Sequence, residues 1–190
     1  MPSMFQSARL TYRAPRQDDL DELYEVYNDP DCQLGLYVSG YAPRPEKLKN
    51  ELKSWSESNL LFVIAVDTQT GEFVGKVMIR FDQPAALRDG ELGIVVKKNK
   101  WGRGYGTEIV GWAVRHGFRY LNLHRVSLGV FADNDAAIAV YNKTGFVQEG
   151  VKRRARFCNG KWGDIIRMGI VEDEFFEREA QKINIHQIHA

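Results

Sequence analysis

The sequence predicts a mixed α/β fold, a sheet flanked by helices, and three observations carry that expectation. A β-branched run ends at Val95-Val96 and passes through a basic, glycine-rich loop into a long amphipathic segment. Two turn signals, Thr68-Gln69-Thr70-Gly71 and Asn159-Gly160, each join apolar runs as hairpins. Between them, strands alternate with helical patterns, so the sheet holds crossovers as well as hairpins.

Leu10 to Arg13 reads as a first strand. Asp18-Asp19 precede Leu20, Leu23, Val26 and Tyr27, a helical apolar face with acids at its N-terminal end. Asp29-Pro30 ends that helix. Residues 31 to 45 hold glycines and prolines and read as a loop. Pro45 to about Ser58 suits a second helix, with Leu48, Leu52 and Trp55 on one face. Leu60 to Asp67 is a continuous apolar strand, and Phe73 to Phe81 is its hairpin partner. Glu91 to Val96 is another strand. Residues 104 to 121 place Val110, Ala113, Val114, Gly117, Phe118 and Leu121 on one buried helix face. Arg125 to Phe131 is a strand, and Asp133 to Lys143 a helix stopped by Gly145. Phe146 to Phe157 and Trp162 to Val171 form the last hairpin. From about Glu174 a short amphipathic helix would use Phe175, Phe176, Ile183 and Ile185.

The loop from Lys97 to Glu108 sets bare backbone N–H groups and positive side chains at a helix N-terminus, which attracts anions. A phosphate-bearing ligand is expected there. The spacing excludes two familiar loops. A dinucleotide fingerprint counted from Gly102 or Gly104 needs glycine where Thr107 or Ile109 stands, and Gly106-Thr107-Glu108 lacks the lysine of a Walker loop.

The stretch resembles instead the acetyl-coenzyme A loop of the GCN5-related N-acetyltransferases, Arg/Gln-x-x-Gly-x-Gly/Ala. Gly104 and Gly106 fill the small positions, and Trp101 stands where Arg or Gln is usual. That Trp is similar to the branch of ribosomal-protein N-terminal and spermidine acetyltransferases. Asn134 to Phe146 resembles the family's Asn-x-x-Ser/Ala-x-x-x-Tyr-x-Lys-x-Gly-Phe block, with Ala137 replacing Ser. Glu91-Leu92-Gly93, opening the strand before the loop, is a third match. The resemblance covers about residues 9 to 171. It implies one N-acetyltransferase domain over residues 1–190, with 172–190 as a C-terminal tail, and a splayed, mostly antiparallel sheet. Acetyl-coenzyme A and the acceptor amine would meet between the fourth and fifth strands. A homodimer is implied by the same analogy.

The chain has 190 residues, 44% apolar and 27% charged, with a formal net charge of +1. These values fit a soluble globular protein and give no basic field for nucleic acid. Cys32 and Cys158 lack metal or CxxC spacing and read as reduced thiols. No apolar stretch marks a signal peptide or a span, so a cytoplasmic protein is expected, with the nucleus left open.

The resemblance also assigns roles. Coenzyme contacts fall to the backbone of Ile94, Val95 and Val96, which would polarise the carbonyl, and to Trp101, Gly102, Arg103, Gly104, Tyr105, Gly106 and Thr107 around the diphosphate. Lys97, Lys98 and Lys100 add charge, and Asn134 caps its helix or touches the coenzyme arm. Deprotonating an alkyl amine of pKa near ~10.4 at pH 7 costs about 4–5 kcal/mol, so a base is expected, and Glu91 is the candidate. Tyr141 would protonate the leaving thiolate. No metal is expected. His116 and His124 read as structural, and no His lies near Cys158 in sequence, which favours direct transfer over an acyl-Cys route. The acceptor side would draw on Tyr24, Tyr27, Asp29, Asp31, Tyr37, Tyr41, Phe157 and Trp162, aromatics with acids that suit a small cationic amine. A peptide N-terminus is the rival acceptor, and a silent coenzyme-binding module the rival of another class.

Overall fold

Leu61–Asp67 is buried on both faces, as a central strand between two helical layers requires. Around it a computed structural model, which describes residues 3–36, 41–81 and 83–188, places a seven-stranded sheet. The strands are β1 (Leu10–Arg13), β2 (Leu61–Asp67), β3 (Phe73–Phe81), β4 (Asp89–Val96), β5 (Arg125–Phe131), β6 (Val147–Cys158) and β7 (Lys161–Val171), in the order β1-β2-β3-β4-β5-β7-β6. Every neighbouring pair is antiparallel except β4 and β5. The helices are α1 (Gln17–Asn28), α2 (Pro30–Gly35), α3 (Leu48–Ser58), α4 (Tyr105–Tyr120), α5 (Asp135–Thr144) and α6 (Glu172–Ile188).

The two faces of the sheet bury separate cores. One packs Ile109, Val110, Ala113 and Val114 of α4 against Leu10, Val63, Val77, Ile79 and Leu128. The other packs Leu20, Leu23 and Val26 of α1 and Leu48 and Leu52 of α3 against Phe62, Ile64, Val66 and Val95. Leu121 is only half-buried at the end of the α4 face. Trp55 stays largely exposed, with its ring 6.3 Å from that of Tyr27. The final hairpin turns at Asn159-Gly160 with φ of 49° and 75°, the two left-handed positions a type I′ turn requires.

β4 and α5 begin within two residues of expectation, at Asp89 and Asp135, and three boundaries differ by more or in kind. Residues 31–45 are not all loop, because Pro30–Gly35 forms α2. Asp29 caps it by accepting the Cys32 N–H at 2.9 Å, and Pro30 sits where no N–H is needed. The second long helix begins at Leu48 rather than Pro45. The tail helix is longer than expected, reaching Ile188, with Phe175 buried against Phe118 and the side chains of Ile183 and Ile185 outside the described residues.

His116 is structural, as expected, and also costly. Its ring stacks on Trp112 at 4.8 Å, between Phe5 and Tyr120, and its buried Nδ1 meets no partner among the described residues. Burial pulls its pKa below the ordinary value. A histidine depressed in the folded state stabilises the fold above its unfolded pKa of about 6.5. That contribution is lost as pH falls through the folded value. Urea unfolding from about pH 8 down to pH 5 is therefore expected to show a loss of stability on acidification that is smaller in His116→Phe. Parallel curves for the two proteins would contradict it.

Candidate active site

β4 and β5 separate after Glu91. Their parallel register runs only through Asp89↔Arg125, Gly90↔Val126 and Glu91↔Ser127. β4 stays paired with β3 through Val96, and β5 pairs with β7 on its other side. The edge of β4 from Leu92 to Val96 therefore faces a gap. Strand alternation decides which amides face it. Lys97 N–H donates to the Val74 carbonyl, on the β3 side. The Val96 carbonyl points the other way and accepts the Trp101 indole N–H at 2.7 Å. Ile94 and Val96 thus present N–H groups to the gap, whereas Val95 turns its own toward β3. Of the three backbone donors expected from the sequence, two face the opening.

Past β4 the chain makes a 3₁₀ turn at Lys98–Lys100 and enters α4 through Gly102 and Gly104, at φ of 71° and 79°. A side chain at either position would carry a penalty of roughly 1–2 kcal/mol. The first intrahelical bond is Glu108 N–H to the Gly104 carbonyl, so the amides of Tyr105, Gly106 and Thr107 precede the helix ladder. They open on a cleft of about 790 Å³ that runs from this loop, between β4 and α5, to α2. A diphosphate fits such a mouth, because a helix N-terminus supplies both donors and a positive dipole.

The charged side chains are placed less simply. Lys97 is bound to Glu22, Lys98 to Asp31, and Lys100 to Glu72. These carboxylates raise the pKa of Lys97 and Lys98, chiefly because Glu22 and Asp31 accept hydrogen bonds from the two ammonium groups. Lys100 lines the cleft; Lys97, Lys98 and the exposed Arg103 do not. Tyr105 is buried, with its hydroxyl 3.1 Å from Asp67.

Tyr141, on α5, lines the cleft on the side opposite β4. Its ring meets Phe146 edge-on at 5.8 Å. Its hydroxyl has no hydrogen-bond partner among the described residues, and burial pushes its pKa up to about 12. Asn134 caps α5, accepting the Ala137 N–H at 3.1 Å, and lines the same cleft. Glu91 sits at the last paired residue before the gap, outside the cleft lining. One carboxylate oxygen accepts from Arg80 at 2.6 and 3.0 Å, the other from Arg167 at 3.2 Å.

On the acceptor side the expected residues divide. Asp31 lines the cleft. Tyr27 is core, and Tyr24 packs beside that core with its hydroxyl donating to the Arg44 carbonyl. Asp29 is committed to capping α2. Phe157 and Trp162 pack on each other at the surface, ring centroids 5.3 Å apart. Tyr37 lies outside the described residues. The sequence reading missed Arg156. This nearly buried guanidinium stacks 3.8 Å over Phe131 and donates to the Tyr41 hydroxyl, Asp133 and the Leu34 carbonyl at 2.7, 2.7 and 2.6 Å. It ties α2 and Tyr41 to the last hairpin and lines the cleft with Cys158. No local signal marks it, since its partners lie up to 122 positions away.

Comparison with known proteins agrees with this geometry. The profile of the acetyltransferase (GNAT) domain matches residues 9–147. The spermidine N(1)-acetyltransferase of Vibrio cholerae is 32% identical over 172 residues, covering 90% of this chain and 98% of the relative. A crystal structure of spermidine N-acetyltransferase from Vibrio cholerae in complex with CoA and spermine superposes with a TM-score of 0.80. It is 24% identical, with 90% of this chain and 99% of that one covered. A dodecameric structure of spermidine N-acetyltransferase from the same organism gives 0.76 at 25% identity, with coverages of 90% and 99%.

Proposed function

The chain belongs to the GNAT acetyltransferases and is an acetyl-coenzyme A-dependent N-acetyltransferase, and on that footing we propose that it transfers the acetyl group directly to a small primary amine, a polyamine or an amino acid-like acceptor. The observation that carries the reading is the parting of β4 from β5 after Glu91, which turns two backbone N–H groups toward a cleft that Tyr141 also lines. Membership of an enzyme family sets aside the silent coenzyme-binding module.

In this reading the coenzyme supplies an activated acetyl thioester, held by its diphosphate on the amides of Gly102 to Thr107, with Trp101 and Asn134 beside it. Arg103 and Lys100 add positive charge at the rim. Ile94 and Val96 N–H groups donate to the thioester carbonyl where negative charge develops. Val95 holds the strand in place. Tyr141 hydrogen-bonds the departing sulfur. Glu91 accepts the proton of the amine through water, since it stands just outside the cleft. The polyamine preference rests on the relatives. The fold is read as one domain with a helical tail. A homodimer stays part of the reading, supported by a relative that assembles as a dodecamer.

Purified protein with acetyl-coenzyme A is expected to release free thiol with spermidine or spermine well above hydrolysis. Coenzyme A at about 100 times its dissociation constant should add roughly 2.7 kcal/mol of stability. Turnover on a peptide N-terminus alone would replace the acceptor. No turnover on any amine, with no thermal stabilisation, would overturn the reading.

A further inference from the structure

Arg9 comes from the segment before β1, remote in sequence from the glycine loop, yet it touches the loop at several points. Its Nε donates to Glu108 Oε2 at 2.8 Å, its backbone N–H donates to Glu108 Oε1 at 2.7 Å, and a terminal nitrogen donates to the Arg103 carbonyl at 3.0 Å. The guanidinium lies 4.4 Å over the Tyr105 ring. A Cβ on Gly104 would come within 3.5 Å of it. Ser7 completes the cluster by donating its hydroxyl to Glu108 Oε1 at 2.7 Å.

Two physical needs meet at this cluster. The loop passes through two left-handed glycines, whose backbone freedom must be restrained if the amides are to be aimed before a ligand arrives. Glu108 also places a carboxylate in the first turn of α4, where an anionic ligand would be repelled unless the charge is balanced. The carboxylate is only 12% exposed. Burial opposes its charge, but the bonds from Ser7 and Arg9 outweigh that and hold its pKa below the ordinary range.

We infer that Arg9 is a positioning residue for coenzyme binding: it clamps the Arg103 carbonyl and Glu108 into one rigid mouth and neutralises the acid that would repel the diphosphate. The inference rests on the cradle described above. Arg9 acts through the loop, so it belongs to affinity rather than to the acetyl transfer. A lysine would restore one charge but not the planar fork that serves a carboxylate and a carbonyl together.

Calorimetry of coenzyme A with the full chain, paired with steady-state kinetics, tests it. Arg9→Ala is expected to weaken coenzyme A binding roughly tenfold, about 1.4 kcal/mol. The KM for acetyl-coenzyme A should rise to match, with kcat and the amine KM almost unchanged. Arg9→Lys should recover only part of the loss. Glu108→Gln placed on Arg9→Ala should restore part of the affinity, because the uncompensated charge is gone while the clamp on the Arg103 carbonyl is not rebuilt. Wild-type affinity in a folded Arg9→Ala or Arg9→Lys would overturn the inference while leaving the cradle intact. Failure of the unsubstituted chain to bind coenzyme A would overturn the cradle and this inference with it.

Discussion

Tyr141→Phe is expected to lower kcat by roughly two to four orders of magnitude with coenzyme affinity almost unchanged. Tyr141 lines the cleft and its hydroxyl has no partner among the described residues, so its loss leaves no orphaned group. The variant should therefore fold and melt like the parent, and the rate loss reads chemistry alone. Burial raises the tyrosine to about 12, which keeps it protonated across the working pH range. The protonated hydroxyl donates to the leaving sulfur as negative charge develops there. Any alkaline limb of the rate profile below about pH 10 should then survive in Tyr141→Phe. A variant that keeps its rate would remove Tyr141 from the mechanism.

The elements that repeat a local pattern were legible in the sequence. Phe73–Phe81 and Arg125–Phe131 match their expected limits, because turns bound each apolar run. The glycine loop was legible for the same reason: Gly102 and Gly104 occupy backbone positions that few other residues tolerate. α2 carried a readable signal in Asp29-Pro30, a cap followed by an N1 proline, which the surrounding glycines and prolines outweighed. The acceptor side was not legible, since composition cannot tell a packed aromatic from one that lines a pocket. Tyr27 joined the core with the apolar face of α1, as its spacing implied, and Phe157 and Trp162 turned to solvent. Charge near the loop misled for a related reason. Lys97 and Lys98 are spent on Glu22 and Asp31, carboxylates more than sixty positions earlier that no local window contains. Arg9 and Arg156 share that property: each acts only through contacts made by folding.

Glu91→Gln is expected to cost about two to four orders of magnitude in kcat/KM near neutral pH, as removal of a general base should. The amide keeps the shape of the side chain, and its one carbonyl oxygen can still accept from Arg80 while the bond from Arg167 is given up, so the β3–β4 ladder around it should hold. The carboxylate contacts differ in strength of hold. Arg80 reaches it at 2.6 Å, whereas Arg167 stands at 3.2 Å. The Arg167 side is thus the one a water, carrying the amine proton, can displace. The defect should also depend on pH in a defined direction. An amine of pKa near ~10.4 is increasingly neutral as pH rises, so a base has less to contribute. The gap between parent and variant should narrow toward about pH 10. A gap of constant size across that range would make Glu91 a structural anchor for the two arginines, and the amine would then need another proton acceptor.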